Sequence, residues 1–414
     1  MSSSAATKVV IVGCGVAGPV LATLLKSRGY NPVVYERIAR DSDGGLSLML
    51  QSNGLRVLGL IPGLLEQLPG QVEDRIAFYS TVPGHEDVLG EHSFDSHTPA
   101  EVAQNTFNSV GMGVRRHDFL HLLAETAIKA GVQIHWEHKV VDVLQHSDCV
   151  QVVFENGETD TASFVIGCDG IHSNTRISLF GKEAASYTGL VQMGGLSPSP
   201  KAFTTENSMI NFFGENAHMI TYKVGPEKNS WAITRREDEH KETWRAVDDS
   251  TLADLKQDPV SQWPFGAGEL VKSSSKIVKY GLYDRPELAT WFKGRVVLLG
   301  DAAHPTSPHL GQGANQALED IYHIVRVLMK YNPSAEHPST ETLEKAFKEY
   351  ESIRLPRTSM LVKQARNMGE SRVVNGIDAC IVRNEAIRAI WKDPVAASKG
   401  LGDKRSGPFE QSEI

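Results

Sequence analysis

Two glycine-rich stretches, far apart in the chain, carry residue types suited to holding phosphates and a polyol. In the first, Gly13-Cys14-Gly15-Val16-Ala17-Gly18 follows the apolar, β-branched run Val9–Val12. It leads into a helical pattern from Val20 to Arg28 that stops at Gly29. Between a strand and a helix, glycines permit a tight turn and close approach of backbone to a pyrophosphate. The helix start offers free N–H groups and partial positive charge. Glu36 closes the next strand, Val33–Tyr35, 18 residues after Gly18, where a carboxylate can hold both hydroxyls of a ribose. Cys14 reads as a small filler in this loop rather than as a redox thiol. A glycine turn beside a surface glutamate is the plainer alternative, and the strand–turn–helix setting argues against it.

The second stretch runs from Arg295 to Asp301, a buried type of strand ending in Gly300-Asp301. Ala302-Ala303-His304-Pro305 and then Gly311-Gln312-Gly313-Ala314-Asn315 follow. An aspartate at the carboxyl end of a parallel strand can accept hydrogen bonds from a ribityl chain. The glycine loop then delivers a second helix N-terminus near Ala314. Its dipole suits the negative charge that reduction places on the N1–C2=O edge of an isoalloxazine. The first motif does not separate FAD from NAD, whereas the second points to FAD. Asp301 as a simple cap is the competing reading. His304 is a candidate proton relay, with a structural hydrogen bond preferred.

Two more stretches complete the pattern. Gly167-Cys168-Asp169-Gly170 stands at another strand end and runs on through Ile171-His172-Ser173-Asn174-Thr175-Arg176. Arg116-His117-Asp118-Phe119-Leu120 opens an amphipathic helix. With these four stretches the chain resembles the aromatic-hydroxylase group of FAD monooxygenases, the family of para-hydroxybenzoate hydroxylase and salicylate hydroxylase. The resemblance runs from about residue 8 to about residue 370.

The resemblance implies that Gly13, Gly15, Gly18 and Glu36 hold the ADP part of FAD, with Arg37 beside the adenine. It implies that Arg116 contacts FAD from its helix start and that Asp301 binds the ribityl chain. Gly311, Gly313, Ala314 and Asn315 would border the flavin ring edge, with Pro308 beside the ring. Asp169 belongs to a motif that the family links to both FAD and NAD(P)H. Gly44-Gly45-Leu46-Ser47 departs from the Gly-Ala-Gly-Ile stretch common in the family. The Trp-x-Trp-x-Ile-Pro signature of flavin halogenases is missing, which opposes halogenation.

The implied activity is hydroxylation of a small phenolic ring with NADPH or NADH and O2, through a flavin C4a-hydroperoxide, with a decarboxylating variant. An epoxidase or Baeyer–Villiger enzyme on the same fold is the alternative, followed by an FAD-linked reductase that does not activate O2. A phenolate is a better nucleophile than a phenol, so a basic or polar group is expected near the substrate hydroxyl. Candidates are His218, Tyr222, Arg235 and Arg236, each with an ordinary sheet role as the competing reading. Period two puts His218, Ile220 and Tyr222 on one face of their strand. No spacing of His or carboxylates suggests a metal site.

The elements that must position these residues fall into three interleaved pieces. The expected class is α/β: a Rossmann-type FAD-binding domain over 1–75, 111–182 and 283–370. A smaller substrate domain with a largely antiparallel sheet covers 76–110 and 183–282. C-terminal helices follow at 371–395, with a polar, mobile tail over 396–414. At 414 residues the chain is long enough for two cores, and its net charge of −8 opposes nucleic acid as a partner. Cys14, Cys149, Cys168 and Cys380 form no Cys-x-x-Cys pair, which opposes a disulfide framework or zinc site. The apolar run Val9–Leu25 is interrupted by Gly13, Gly15, Gly18 and Pro19, so it is not read as a membrane anchor. The expected setting is cytoplasmic, as a monomer or homodimer, without nucleic acid or membrane.

Overall fold

The computed structural model describes residues 6–42, 44–203, 206–241, 245–246 and 249–407. Val9, Val10 and Ile11 are wholly buried because their strand, Lys8–Val12, has parallel neighbours on both sides and helices on both faces. The six-stranded sheet runs in the order Phe292–Lys293, Val296–Leu298, Phe164–Gly167, Lys8–Val12, Asn31–Tyr35, Gln133–His135. All pairs are parallel except the one made by Phe292–Lys293. From Lys8–Val12 the chain goes first to one side and later to the other. That reversal opens a crevice at the carboxyl ends of the central strands, the usual ligand position in such sheets. Gly13, Cys168 and Gly300 each stand just beyond one of these ends.

A second, eight-stranded sheet runs in the order Arg245–Ala246, Ile277–Asp284, Ser186–Pro198, Lys228–Arg236, Ala217–Gly225, Ser208–Phe213, Arg75–Ser80, Asp87–Ser93. It is antiparallel except between Ser208–Phe213 and Arg75–Ser80. On one face Met193, Ile210, Phe212, Met219, Trp231 and Ile233 form a core with Leu255, Leu270 and Val271. The last three come from helices Asp249–Gln257 and Ala267–Ser273, which the alternating sequence pattern did not reveal. The opposite face looks toward the first sheet.

A three-stranded sheet, Ser47–Leu50, Gly111–Arg115 and Gly70–Glu73, joins the two. Gly113 lies directly against the Lys223 carbonyl of the large sheet, where no side chain would fit.

The C-terminal region corrects one expectation. Residues 396–405, expected to belong to a mobile tail, lie in helix Pro394–Arg405. Asp393 caps it by accepting from Ala396 N at 3.0 Å, and proline stands in its first turn. Arg405 is buried and donates to the Ser109 carbonyl at 2.8 Å, while Gly402 packs flush on Phe107. The polarity of this run hid a cap and small contact residues that dock it. Residues 408–414 of the expected tail lie outside the described residues.

Candidate cofactor cleft and active site

The first glycine motif divides into packing and binding positions. Gly13 has φ +105°, and a Cβ there would lie 2.5 Å from the Cys168 carbonyl oxygen. Gly18 faces the Gly13 carbonyl too closely for any side chain. A Cβ on Gly15 would meet nothing within 4 Å, so this glycine borders open space at the start of helix Ala17–Ser27. Such a cradle fits a pyrophosphate. Gly15→Ala is therefore expected to leave the melting temperature unchanged while weakening FAD binding roughly tenfold, about the effect of one lost charge-assisted contact. Reconstitution of the apoprotein with FAD measures it, and unchanged affinity removes Gly15 from the cradle.

Glu36 is held in place by its own backbone surroundings. Its Oε2 accepts from Cys14 N at 2.7 Å and its Oε1 from Ile38 N at 3.0 Å, while Arg37 beside it is exposed. The carboxylate keeps lone pairs for a ribose.

Asp301 and Arg116 mark the depth of the cleft. Asp301 is solvent-exposed, yet crowded enough for desolvation to raise its pKa, with His304 and Arg116 opposing. No described residue donates a hydrogen bond to its carboxylate. Burial lowers the Arg116 pKa, while the charges of Asp301 and Glu36 raise it, which places Arg116 between the two glycine motifs. Gly45, with φ +84°, leaves room for the Arg116 side chain, which a Cβ there would strike. The departure from the family stretch at Gly44-Gly45 thus has a packing reason. Asp169 is turned inward: it accepts from Ser173 Oγ at 2.6 Å and from Thr175 N and Oγ1 at 3.0 Å. Its carboxylate shapes the Asp169-Gly170 turn.

The loop after Asp301 is stapled by amides. Pro308 and Gly311 are exposed, and helix Gly313–Tyr331 starts immediately after. Asn315 accepts from Gln51 N at 2.9 Å and donates to the Met49 and Gly311 carbonyls at 3.0 and 2.8 Å. Its side chain is thereby used up, leaving the backbone N–H groups of Gly313, Ala314 and Asn315 for a ligand. Gln312 donates to Gln51 at 2.5 Å and accepts from Asn53 at 2.9 Å.

Behind the loop lies a charged knot that sequence reasoning missed. Arg354, fully buried, donates to Asp320 at 2.6 Å and to Glu319 at 2.5 Å, and Arg357 joins Glu319 at 2.7 Å. Asp320 also accepts from Gly300 N at 2.9 Å and holds His304 at 2.6 Å. His304 therefore makes the structural hydrogen bond. Burial pushes Asp320 up, but His304 and Arg354 hold it down at about 2.

A family model for an FAD binding domain matches residues 6–365. The 3-amino-4-hydroxybenzoate 2-monooxygenase of Streptomyces cremeus is 30% identical over 94% of this chain and 93% of that protein. The chain belongs to the FAD-dependent aromatic monooxygenase family. The 6-hydroxynicotinate 3-monooxygenase of Bordetella bronchiseptica is 26% identical over 90% of this chain and 94% of its own. The Klebsiella pneumoniae HpxO structure, complexed with FAD and uric acid, has the same fold: TM-score 0.81, 22% identity, 98% of each chain. In this monooxygenase Gly15 borders open space and the Asp301 carboxylate receives no hydrogen bond from a described residue, so the chemistry of both positions is compatible with FAD. Among the described residues no helix is long and apolar enough to cross a membrane.

On its large sheet the monooxygenase sorts the four catalytic candidates by face. Tyr280, Gln192, Thr234 and His218 lie in one cross-strand row on the face toward the first sheet, and Tyr222 shares that face. Tyr222 OH lies 2.8 Å from Ser47 Oγ, and Ser47 donates to Ser230 at 2.6 Å. Burial lifts the Tyr222 pKa to about 12. His218 is 2% exposed, with Nε2 3.1 Å from Asn211 Oδ1, and burial plus Arg372 and His309 hold its pKa far below the ordinary range. Arg235 is a correction. Its position alternates with Thr234, so it points with Trp231 and Ile233 to the far face, where it makes a bidentate pair with Asp258 at 2.6 and 2.7 Å. Arg236 is half exposed and paired with Glu370.

Proposed function

We propose that this monooxygenase hydroxylates a small phenolic ring with NADPH or NADH and O2, the ring lying between the Pro308 turn and the face carrying His218 and Tyr222. Where a carboxylate occupies the attacked carbon, CO2 leaves and hydroxyl replaces it. The observation that carries this reading is the Tyr222–Ser47 hydrogen bond. It joins the inward face of the large sheet to the strand leading into the cofactor cleft. Relatives that act on 3-amino-4-hydroxybenzoate and 6-hydroxynicotinate support a substrate of this size.

FAD, when bound, accepts a hydride and supplies the activated oxygen. The chain's own residues hold the ring and handle its proton. His218 stays neutral through the physiological range because of its depressed pKa. With Nε2–H donated to Asn211, its Nδ1 can accept a hydrogen bond from the substrate hydroxyl. Tyr222 stays protonated and orients the ring by hydrogen bonding. The buried sheet face keeps bulk water from the reacting carbon.

The decisive experiment is turnover under labelled O2: one labelled atom in the product is expected, and none leaves an FAD-linked reductase. His218→Asn is expected to lower kcat about tenfold at neutral pH, the scale of one lost hydrogen bond in a buried site. The lost rate should return as pH rises toward the phenol's own pKa, near 10. A pH profile parallel to that of the parent protein assigns the proton transfer elsewhere.

A further inference from the structure

Four cations of the C-terminal helices whose pKa burial lowers have no carboxylate partner among the described residues, in a chain of net charge −8. They are Arg372, which ends helix Thr340–Arg372, Arg383 in helix Ile377–Trp391, and Lys404 and Arg405 in helix Pro394–Arg405. Backbone carbonyls accept from three of them, Arg372 included. Arg383 donates to Gly214 at 2.9 Å and to the Arg372 carbonyl at 3.1 Å, and Arg405 donates to Ser109 at 2.8 Å.

Arg372 is different. Its Nη1 donates to the His309 carbonyl at 2.9 Å, next to Pro308, and the rest of its planar fork has no donation to a described residue. It is only partly buried, yet protein crowds it enough for desolvation alone to bring its pKa down to about 10. Asp301 and Arg116 beside the glycine motifs show the same combination of partial exposure and desolvation.

The charges acting on His218, His309 and Lys404 from this region are positive, while Glu215 acts on Cys380 behind Arg383. His218 feels Arg372, His309 and Arg383, while His309 feels Arg372. Lys404 is lowered first by burial and then by Arg372 and Arg405. The inward sheet face, the Pro308 turn and the last helix thus meet at a corner where Arg372 has no carboxylate partner among the described residues. A desolvated cation lacking a counter-ion is strongly unfavourable, and an anion from outside offsets it. Cofactor phosphate has its own cation, since Arg116 is coupled to Asp301 and Glu36 rather than to Arg372.

Resting on the hydroxylase reading above, we infer that Arg372 is a specificity-determining residue that receives an anionic carboxylate of the substrate. The enzyme thereby selects aromatic acids over neutral phenols, and the planar guanidinium fork matches the two carboxylate oxygens.

The test uses the oxidised holoenzyme and the shift in flavin absorbance on titration with 2-, 3- and 4-hydroxybenzoate and with the primary amide of each. The best acid is expected to bind about 100-fold more tightly than its amide, the scale of a charge-assisted pair in a dry site. Arg372→Met should bring acid and amide within about threefold while FAD content and melting temperature are retained. Arg372→Lys should keep part of the preference, and it carries the test if the methionine variant does not fold. Equal binding of acid and amide by the parent protein, no binding of any acid, or a preference that survives in Arg372→Met overturns the inference. Loss of FAD affinity in Arg372→Met with the preference intact also overturns it, assigning the arginine to cofactor phosphate. Labelled oxygen in a neutral phenol, with no preference for acids, sinks this inference and leaves the hydroxylase reading. Selective acid binding without labelled product sinks the hydroxylase reading alone.

Discussion

Asp301→Ala is expected to give a folded, colourless protein whose affinity for FAD is lower by about 100-fold or more. The carboxylate stands at the end of strand Val296–Leu298, two strands across from Gly13, with no hydrogen bond from a described residue. Crowding raises its pKa, so in the free protein it is a destabilising charge. Removing it relieves that penalty, and the melting temperature should hold or rise. A bound ribityl chain, in contrast, loses charge-assisted hydrogen bonds of about 1.5–3 kcal/mol each. Two such bonds already exceed a hundredfold in affinity, at about 1.4 kcal/mol per tenfold. The visible spectrum of the purified variant and titration of its apoprotein with FAD measure this. Full flavin occupancy at nanomolar protein would remove Asp301 from the cofactor's contacts.

The second large effect belongs to stability. Arg354→Met leaves Glu319 and Asp320 wholly buried, with Arg357 paired to Glu319 and His304 hydrogen-bonded to Asp320. Breaking a buried charged cluster by removing one side costs about 3–5 kcal/mol. Arg354→Lys should recover only part of this, because a single ammonium cannot reach Glu319, Asp320 and Gln316 together as the guanidinium does.

The pH dependence has a definite sign. The Asp320 pKa falls from its ordinary 3.8 to about 2, a depression that contributes roughly 2 kcal/mol. That contribution is complete above about pH 4 and is lost as pH falls through about 2. In Arg354→Met the Asp320 pKa moves up, so acid unfolding should begin at a higher pH than in the parent. Urea melts at neutral and acidic pH read both effects. A variant that matches the parent in both shows the knot to be dispensable.

The strand and helix that flank each of the two glycine stretches were legible in the sequence. A four-residue β-branched run followed by glycines has few alternatives to a buried parallel strand and its turn, and Asp301 repeats that grammar near residue 300. Residues whose meaning depends on distant partners were not legible. Glu319 and Asp320 look like ordinary helix acids until Arg354, a full helix away, closes on them. Arg235 was misplaced for a similar reason. Period two fixes which residues share a face along one strand, but deciding between the faces needs the register that sets Arg235 opposite Ala217. Helices Asp249–Gln257 and Ala267–Ser273 were overlooked because their apolar positions serve the back of a sheet. The docked helix Pro394–Arg405 was overlooked because its anchors are backbone carbonyls of remote segments.

The staples between Gln51, Asn53, Gln312 and Asn315 are nearly all uncharged amides. Neutral fasteners neither titrate nor feel dissolved ions, so the wall beside the reacting ring should keep one shape from dilute buffer to molar salt. Whatever ionic-strength dependence turnover shows is then a property of how charged reactants arrive, with the architecture that receives them held constant.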